Sequence, residues 1–174
     1  MVKKQNTEVE LRAKVNLNII KRIKNYPLKR YLEHDLYFRH QFDTQRNWLA
    51  RIRKRNSQYY LTFKSSKQFG EGAWNEVDIP ISAVHAKQMR EFLLKNDFNL
   101  EVEIIKRRKS YKIDGMEVNI DEIKELGIFI EAEIITSETQ VEKARQKIKI
   151  FFRKLGIDED QITPSGYVTL MRNK

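Results

Sequence analysis

Hydrophobic and polar positions alternate along most of this chain, and only a few stretches switch to helical spacing. In Thr7–Lys14, Glu8, Glu10, Arg12 and Lys14 fall on one side, with Val9, Leu11 and Ala13 on the other. That period predicts a strand with one charged face and one apolar face. Leu17, Ile20 and Ile23 then recur at helical spacing within Asn16–Lys24, and Asn25-Tyr26-Pro27 closes the helix. Strand-like runs follow at Tyr31–His40, Asn47–Arg55, Gln58–Ser66 and, after a glycine-containing loop at Gln68–Gly72, Ala73–Ile81. Ser82 is placed to cap a helix over Ala83–Lys95 with Val84, Phe92 and Leu93 inward. Asn99–Arg108 and Ser110–Ile113 read as strands, and Asp114-Gly115 as a tight turn into Glu117–Ile123. Ile128–Ile135 is the last long strand. A helix from about Glu138 to Leu155 carries a stripe of Val141, Ala144, Ile148, Phe151, Phe152 and Leu155, and Gly156 ends it. Eight or nine strands with three or four helices in one small α+β chain predict a barrel or a strongly curved sheet.

Composition narrows the class. The 174 residues, with six glycines, three prolines and no linker-like stretch, predict one domain over residues 1–174. No run has the length of a membrane span, and Met1–Asn6 lacks the apolar stretch of a signal peptide, so no membrane partner is expected and the cytoplasm is the default location. Cysteine is absent, which excludes disulfides and thiolate metal sites. The formal charge of +10 and pI near 9.7 favour polyanionic partners: nucleic acid, anionic lipid or phosphorylated small molecules.

The placement of the charges says more than their sum. Side chains two apart on a strand share a face. Glu8 and Glu10 make an acidic pair continued by Arg12, Arg51 and Arg53 a basic pair, Lys106 and Arg108 another, and Glu131 and Glu133 a second acidic pair. Lys64 follows Thr62, and the intervening residues are largely apolar. The apolar helix stripes must also cover something. If they cover the outside of the barrel, the charged faces line its interior. Two like charges about 6 Å apart repel by roughly 2–3 kcal/mol at an effective dielectric near 20, so interleaved carboxylates and a bound polyanion would relieve such a lumen. Arg supplies bidentate contacts and Lys a mobile point charge, which suits a triphosphate. Carboxylate donors without Cys and with little His favour Mg²⁺ or Mn²⁺. His34, His40 and His85 are scattered and read as no ligand set; Trp48, Trp74 and the Val141–Leu155 stripe read as packing.

The same residues resemble a known family. Glu8-Val9-Glu10-Leu11-Arg12 is similar to the opening E-x-E-x-K signature of the CYTH domain, the triphosphate tunnel metalloenzymes, which join class IV adenylate cyclases with thiamine-triphosphatase-like and inorganic triphosphatase enzymes. The resemblance runs in order through Asp35-Leu36-Tyr37-Phe38, Ala50-Arg51-Ile52-Arg53, Leu61-Thr62-Phe63-Lys64, Glu76-Val77-Asp78, Lys106-Arg107-Arg108, Ile120-Asp121 and Leu126–Glu133. It implies an eight-stranded antiparallel barrel with a charged interior and flanking helices. It implies metal binding by Glu8, Glu10, Asp121, Glu131 and Glu133, with Glu76 and Asp78 as further acidic members. Triphosphate binding would fall to Arg12, Arg51, Arg53, Lys64, Lys106 and Arg108, and catalysis to Glu8, Glu10 and Arg12. Arg12 departs from the usual Lys, and Ser165–Leu170 only loosely matches the family's S-Y-x-D-L-L segment. Three functions stay open: a metal-dependent triphosphatase, placed first; an adenylate cyclase forming cyclic AMP and pyrophosphate from ATP; and a non-enzymatic binder of RNA or polyphosphate. The leading reading expects a triphosphate-bearing small molecule as partner rather than nucleic acid, and leaves a homodimer open.

Overall fold

The computed structural model describes residues 7–23, 28–65 and 72–174. In chain order the elements are β1 (Thr7–Lys14), α1 (Leu17–Ile20), β2 (Lys29–His40), β3 (Trp48–Arg55), β4 (Gln58–Ser65), β5 (Ala73–Ile81), α2 (Ala83–Lys95), β6 (Phe98–Ile113), β7 (Met116–Ile123), β8 (Gly127–Thr136), α3 (Val141–Lys154), β9 (Ile162–Thr163) and α4 (Tyr167–Arg172). The sheet runs β5-β4-β3-β2-β6-β7-β8-β1, and pairing of Thr7–Val9 with Ala73–Asn75 closes it into an eight-stranded antiparallel barrel. The two-residue β9 adds to the free edge of β1 at Arg12 and Ala13. Between these two pairings the Glu10 N–H donates to the Gly72 carbonyl at 2.9 Å. Gly72 has φ +74°, and a Cβ there would lie 2.9 Å from the Glu10 carbonyl oxygen, so the closure needs glycine.

Tight turns fix the register. Asp114 and Gly115 both have positive φ, as a two-residue hairpin requires, and pair Ile113 with Met116. Asn56, with φ +52°, turns β3 into β4; its side-chain oxygen accepts from the Leu32 N–H at 2.9 Å, anchoring the start of β2. The β2–β6 register shifts at Tyr37/Phe38, leaving Glu101 as the extra residue of a bulge.

The faces are inverted relative to an ordinary barrel. Val9, Leu11, Ala13, Val118, Ile120, Ile130 and Ala132 point outward and are covered by Ile148, Phe151 and Phe152 of α3 and by Leu155 at its end. Phe38, Ala50, Ile52 and Leu61 are covered by Ala86 and Leu93 of α2. Each large side chain buried this way stabilises the fold by about 1.5–3 kcal/mol. The opposite parity, including Glu10, Arg12, Arg51, Arg53, Lys106, Arg108 and Glu131, faces inward and is buried.

Several expectations need correction. The helix expected over Asn16–Lys24 is a single turn capped by Asn16, followed by Lys21 and Arg22 in turn conformation. Four helical residues give too little hydrogen bonding to persist without packing, which Ile19, Ile20 and Ile23 supply. Lys24 and the expected stop at Asn25-Tyr26-Pro27, the end of the Gln58–Ser66 strand at Ser66, and most of the Gln68–Gly72 loop lie outside the described residues. The two strands expected at Asn99–Arg108 and Ser110–Ile113 are one continuous β6, because Lys109 pairs on both sides without interruption. On α2, Val84 and Phe92 are exposed; the face toward the barrel is Ala86, Met89 and Leu93.

Candidate active site

β1 and β8 supply the acidic part of the lumen. Their register sets Glu10 opposite Glu133 and Arg12 opposite Glu131, and places Glu8 one pleat further along the same face. One carboxylate oxygen each from Glu8, Glu10 and Glu133 lies within 4.8 Å of the others. Among the described residues no cation forms an ion pair with Glu133. Burial first, then the charges of Glu131, Glu117 and Glu10, pushes its carboxyl up to about 8. Burial likewise raises Glu8 well above the ordinary carboxylate range; Glu10, Glu76 and Glu133 add to this, and Lys64 opposes it. Three crowded carboxyl oxygens, with no His or Cys among them, fit a hard divalent cation.

The basic wall comes from β3, β4 and β6. Arg51 donates to Thr62 Oγ1 at 2.9 Å and to Glu76 at 3.0 Å, and reaches Asp78 at 3.4 Å. Arg53 forms a bidentate pair with Asp35, both bonds 2.7 Å. Lys106 Nζ lies 3.2 Å from Glu33 and 3.6 Å from Asp35. Lys64 Nζ makes a close ion pair with Glu76 and lies 3.7 Å from Glu8 and 3.9 Å from Glu10.

A third group ties the acidic and basic parts together. Arg108 donates to both oxygens of Asp121, at 2.7 and 2.5 Å, and to Glu131 at 2.7 Å. Arg12 donates to the other oxygen of Glu131 at 2.7 Å and lies 2.9 Å from Glu10. Burial alone would raise Glu131, but Arg108 and then Arg12 overcome it and hold the carboxyl below its usual range. The remaining Arg12 nitrogen donates to the Ser165 carbonyl, and its guanidinium stacks 4.6 Å from the Tyr167 ring centre. Tyr167, on α4, donates to Asp121 at 2.9 Å. With Val168 it packs on Tyr37, Leu49, Ile104, Ile123 and Phe129, so the C-terminal segment walls this end of the lumen. These groups surround one cavity of about 600 Å³.

A charged, acid-and-base-lined barrel of this kind has a known counterpart. The CYTH domain family model matches residues 6–167. The chain belongs to the CYTH domain family. Among curated CYTH relatives is a protein of Methanocaldococcus jannaschii named "Putative adenylate cyclase MJ0240", 24% identical over 94% of this chain and 97% of its own. A conserved hypothetical protein of Pyrococcus furiosus shares the fold at a TM-score of 0.80, with 26% identity over 94% of this chain and 99% of that one. The Hippeastrum protein HpAC1, described as a putative adenylyl cyclase with a dominant triphosphatase activity, superposes at a TM-score of 0.69, with 20% identity over 97% and 96% of the two chains.

All the site residues anticipated from the sequence except Asp121, which is fully buried against Arg108 and Tyr167, line this CYTH lumen, but they divide in two. Glu8, Glu10 and Glu133 form the open carboxylate cluster. Asp121 and Glu131 are engaged by Arg108 and Arg12 and lie outside it. Arg12 is only 2% exposed and directs its donors to protein groups. His34 pairs with Glu103, away from the cluster. Trp48 packs edge-on against Phe98, yet it also borders the cavity, as does Trp74 beside Glu8. Glu33 and Asp35, both completely buried, were missed as site residues. Their signal was available: they share one face of β2 with Tyr31 and Tyr37, opposite the apolar Leu32, Leu36 and Phe38. Glu101 and its partners Arg39, Arg46 and Arg172 at the cavity margin gave no such signal, because a bulge and three separate segments bring them together.

Proposed function

We propose that this CYTH protein hydrolyses a triphosphate substrate with a divalent metal inside the barrel, the candidate substrates being inorganic triphosphate, a nucleoside triphosphate or thiamine triphosphate. The observation that carries this reading is the opening of a crowded carboxylate cluster and a wall of five buried or nearly buried cations onto one cavity. In this reading Glu8, Glu10 and Glu133 hold Mg²⁺ or Mn²⁺. The bound ion would supply charge neutralisation at phosphate oxygens and a water of lowered pKa. Asp121 and Glu131 hold Arg108 in place.

Arg51, Arg53, Lys64, Lys106 and Arg108 bind the triphosphate. Each is already paired with carboxylates, so substrate entry exchanges one set of oxygen partners for another without leaving a cation bare. The pairs also fix the guanidinium planes before substrate arrives, which reduces the reorganisation required during reaction. Arg12, whose donors are spent on Glu10, Glu131 and the Ser165 carbonyl, acts as a positioning residue for the acidic cluster. The cations lie inside a barrel rather than on an open face, which argues against the RNA-binding alternative.

Adenylate cyclisation is the second reading, favoured by the name of the M. jannaschii relative. The same lumen would serve it if the α-phosphorus, rather than the terminal one, met the nucleophile. A product-resolved assay separates the two: ATP and inorganic triphosphate, each with Mg²⁺ and with Mn²⁺, analysed for phosphate, pyrophosphate and cyclic AMP. Metal-dependent phosphate release supports hydrolysis. Cyclic AMP with equal pyrophosphate moves the assignment to a cyclase, and no product from either substrate rejects both as stated for them.

A further inference from the structure

We infer that the Lys64 ammonium is the mobile resident counter-ion of the Glu8–Glu10–Glu133 cluster, and that a divalent cation entering the cluster takes its place there, leaving the ammonium to Glu76 and the substrate. The inference rests on the metal-site reading above. Its ground is the position of one flexible cation among three carboxylates, Glu8, Glu10 and Glu76. Lys64 reaches the lumen from β4, directly opposite Glu76 of β5 in the register. Its Nζ is in close contact with Glu76, while Glu8 and Glu10 stand further off at 3.7 and 3.9 Å. Arg12 reaches Glu10 at 2.9 Å, and among the described residues Lys64 alone forms an ion pair with Glu8. Without metal the cluster's counter-charges are therefore Arg12, close to Glu10, and the more distant and mobile Lys64 ammonium, which alone among the described residues serves Glu8.

A divalent ion among these oxygens would bring like charge to within a few ångströms of Nζ. Two properties let the ammonium yield. It sits on a four-carbon stem rather than a planar fork, and its shortest contact, Glu76, is not a member of the cluster. Glu76 is also the 3.0 Å partner of Arg51, so an ammonium released from Glu8 and Glu10 stays beside the Arg51 guanidinium. Metal binding thereby releases the Lys64 charge from the cluster for the phosphates. By linkage, a triphosphate that draws Lys64 away opens the cluster to the metal, and the two ligands bind with positive coupling.

The test uses Mg²⁺ alone and the full chain, at a single fixed pH. The Lys64 ammonium is followed by side-chain NMR during the titration. Lys106, buried against Glu33 and Asp35 and out of reach of the cluster, serves as internal reference. In parallel, calorimetry compares wild type, Lys64→Gln and Lys64→Arg. The Lys64 signal is expected to move in step with Mg²⁺ occupancy while Lys106 stays. Lys64→Gln is expected to bind Mg²⁺ about tenfold tighter than wild type, and Lys64→Arg no tighter, since it keeps the charge. Mg²⁺ binding with an unmoved Lys64 signal overturns the inference and leaves the metal site standing, as does a Gln variant that folds and binds no tighter. No Mg²⁺ binding by wild type removes the metal-site reading and this inference with it. The wild-type titration decides the matter even where a variant fails to fold.

Discussion

Replacing Glu133 by Gln tests the electrostatics of the acidic cluster without any substrate. In the folded protein the Glu133 carboxyl is pushed up to about 8, burial being the largest cause and Glu131 the next. In an unfolded chain the same group titrates near ~4.3. Between these values the native state holds a proton that the unfolded state has lost. Stability therefore falls as pH rises through this window, by about tenfold in the folding equilibrium per pH unit for one proton. Glu8, raised by burial and by Glu10, Glu76 and Glu133, adds in the same sense. The carboxyls held low by cations, Asp35, Glu76 and Glu131, contribute in the opposite direction: their stabilisation is present above the unfolded value and is lost only in acid. The assay is urea denaturation followed by circular dichroism from pH 5 to 8.5, with chelator present. Wild type should lose stability steadily toward pH 8 with a slope of one to two protons, and Glu133→Gln should show a slope smaller by about one proton. A wild-type profile that is flat or rising across this range, or a variant with an unchanged slope, would refute the reasoning.

Other substitutions probe the supports of the site. Glu131→Gln removes the charge between Arg12 and Arg108 and should destabilise the fold by about 3–5 kcal/mol, measured by denaturant unfolding at pH 7, because two buried guanidinium groups lose their shared partner. Phe152→Ala, removing a fully buried side chain that α3 packs on the outside of the barrel, should cost about 3–5 kcal/mol in the same measurement while leaving the KM of the folded fraction unchanged. Arg12→Lys keeps the charge but cannot span Glu10, Glu131, the Ser165 carbonyl and the Tyr167 ring together. Amide exchange of residues 163–172 should accelerate in that variant, and unchanged protection would show that Arg12 does not hold the C-terminal segment.

The inverted barrel was legible because two patterns had to be satisfied together. Charged strand faces alone read as solvated surface. The apolar stripe of Val141–Leu155 needed an apolar sheet face to cover, and only the faces of Val9, Leu11, Ile130 and Ala132 could supply it. What sequence spacing could not supply was cross-strand register. Glu131 and Glu133 look equivalent along β8, yet pairing sets Glu131 beside Arg12 and Glu133 beside Glu10. One carboxylate is thus neutralised and the other left to crowd its neighbours. Asp121 is drawn out of the acidic cluster in the same way, by its register with Arg108 on β6. The C-terminal wall was hidden for another reason: a two-residue strand and a six-residue helix are too short to show a period, and their placement depends on Tyr167 reaching Asp121.

The most direct test of the central claim is the paired variant Glu8→Gln with Glu10→Gln, assayed for metal-dependent phosphate release from the substrate that wild type turns over and, separately, for binding of that substrate. The metal-dependent hydrolase described here should lose phosphate release by at least about two orders of magnitude while binding the triphosphate as well as wild type or better, since the basic wall is intact and two negative charges are gone. Phosphate release at the wild-type rate, still dependent on metal, would contradict the assignment of the metal to this cluster.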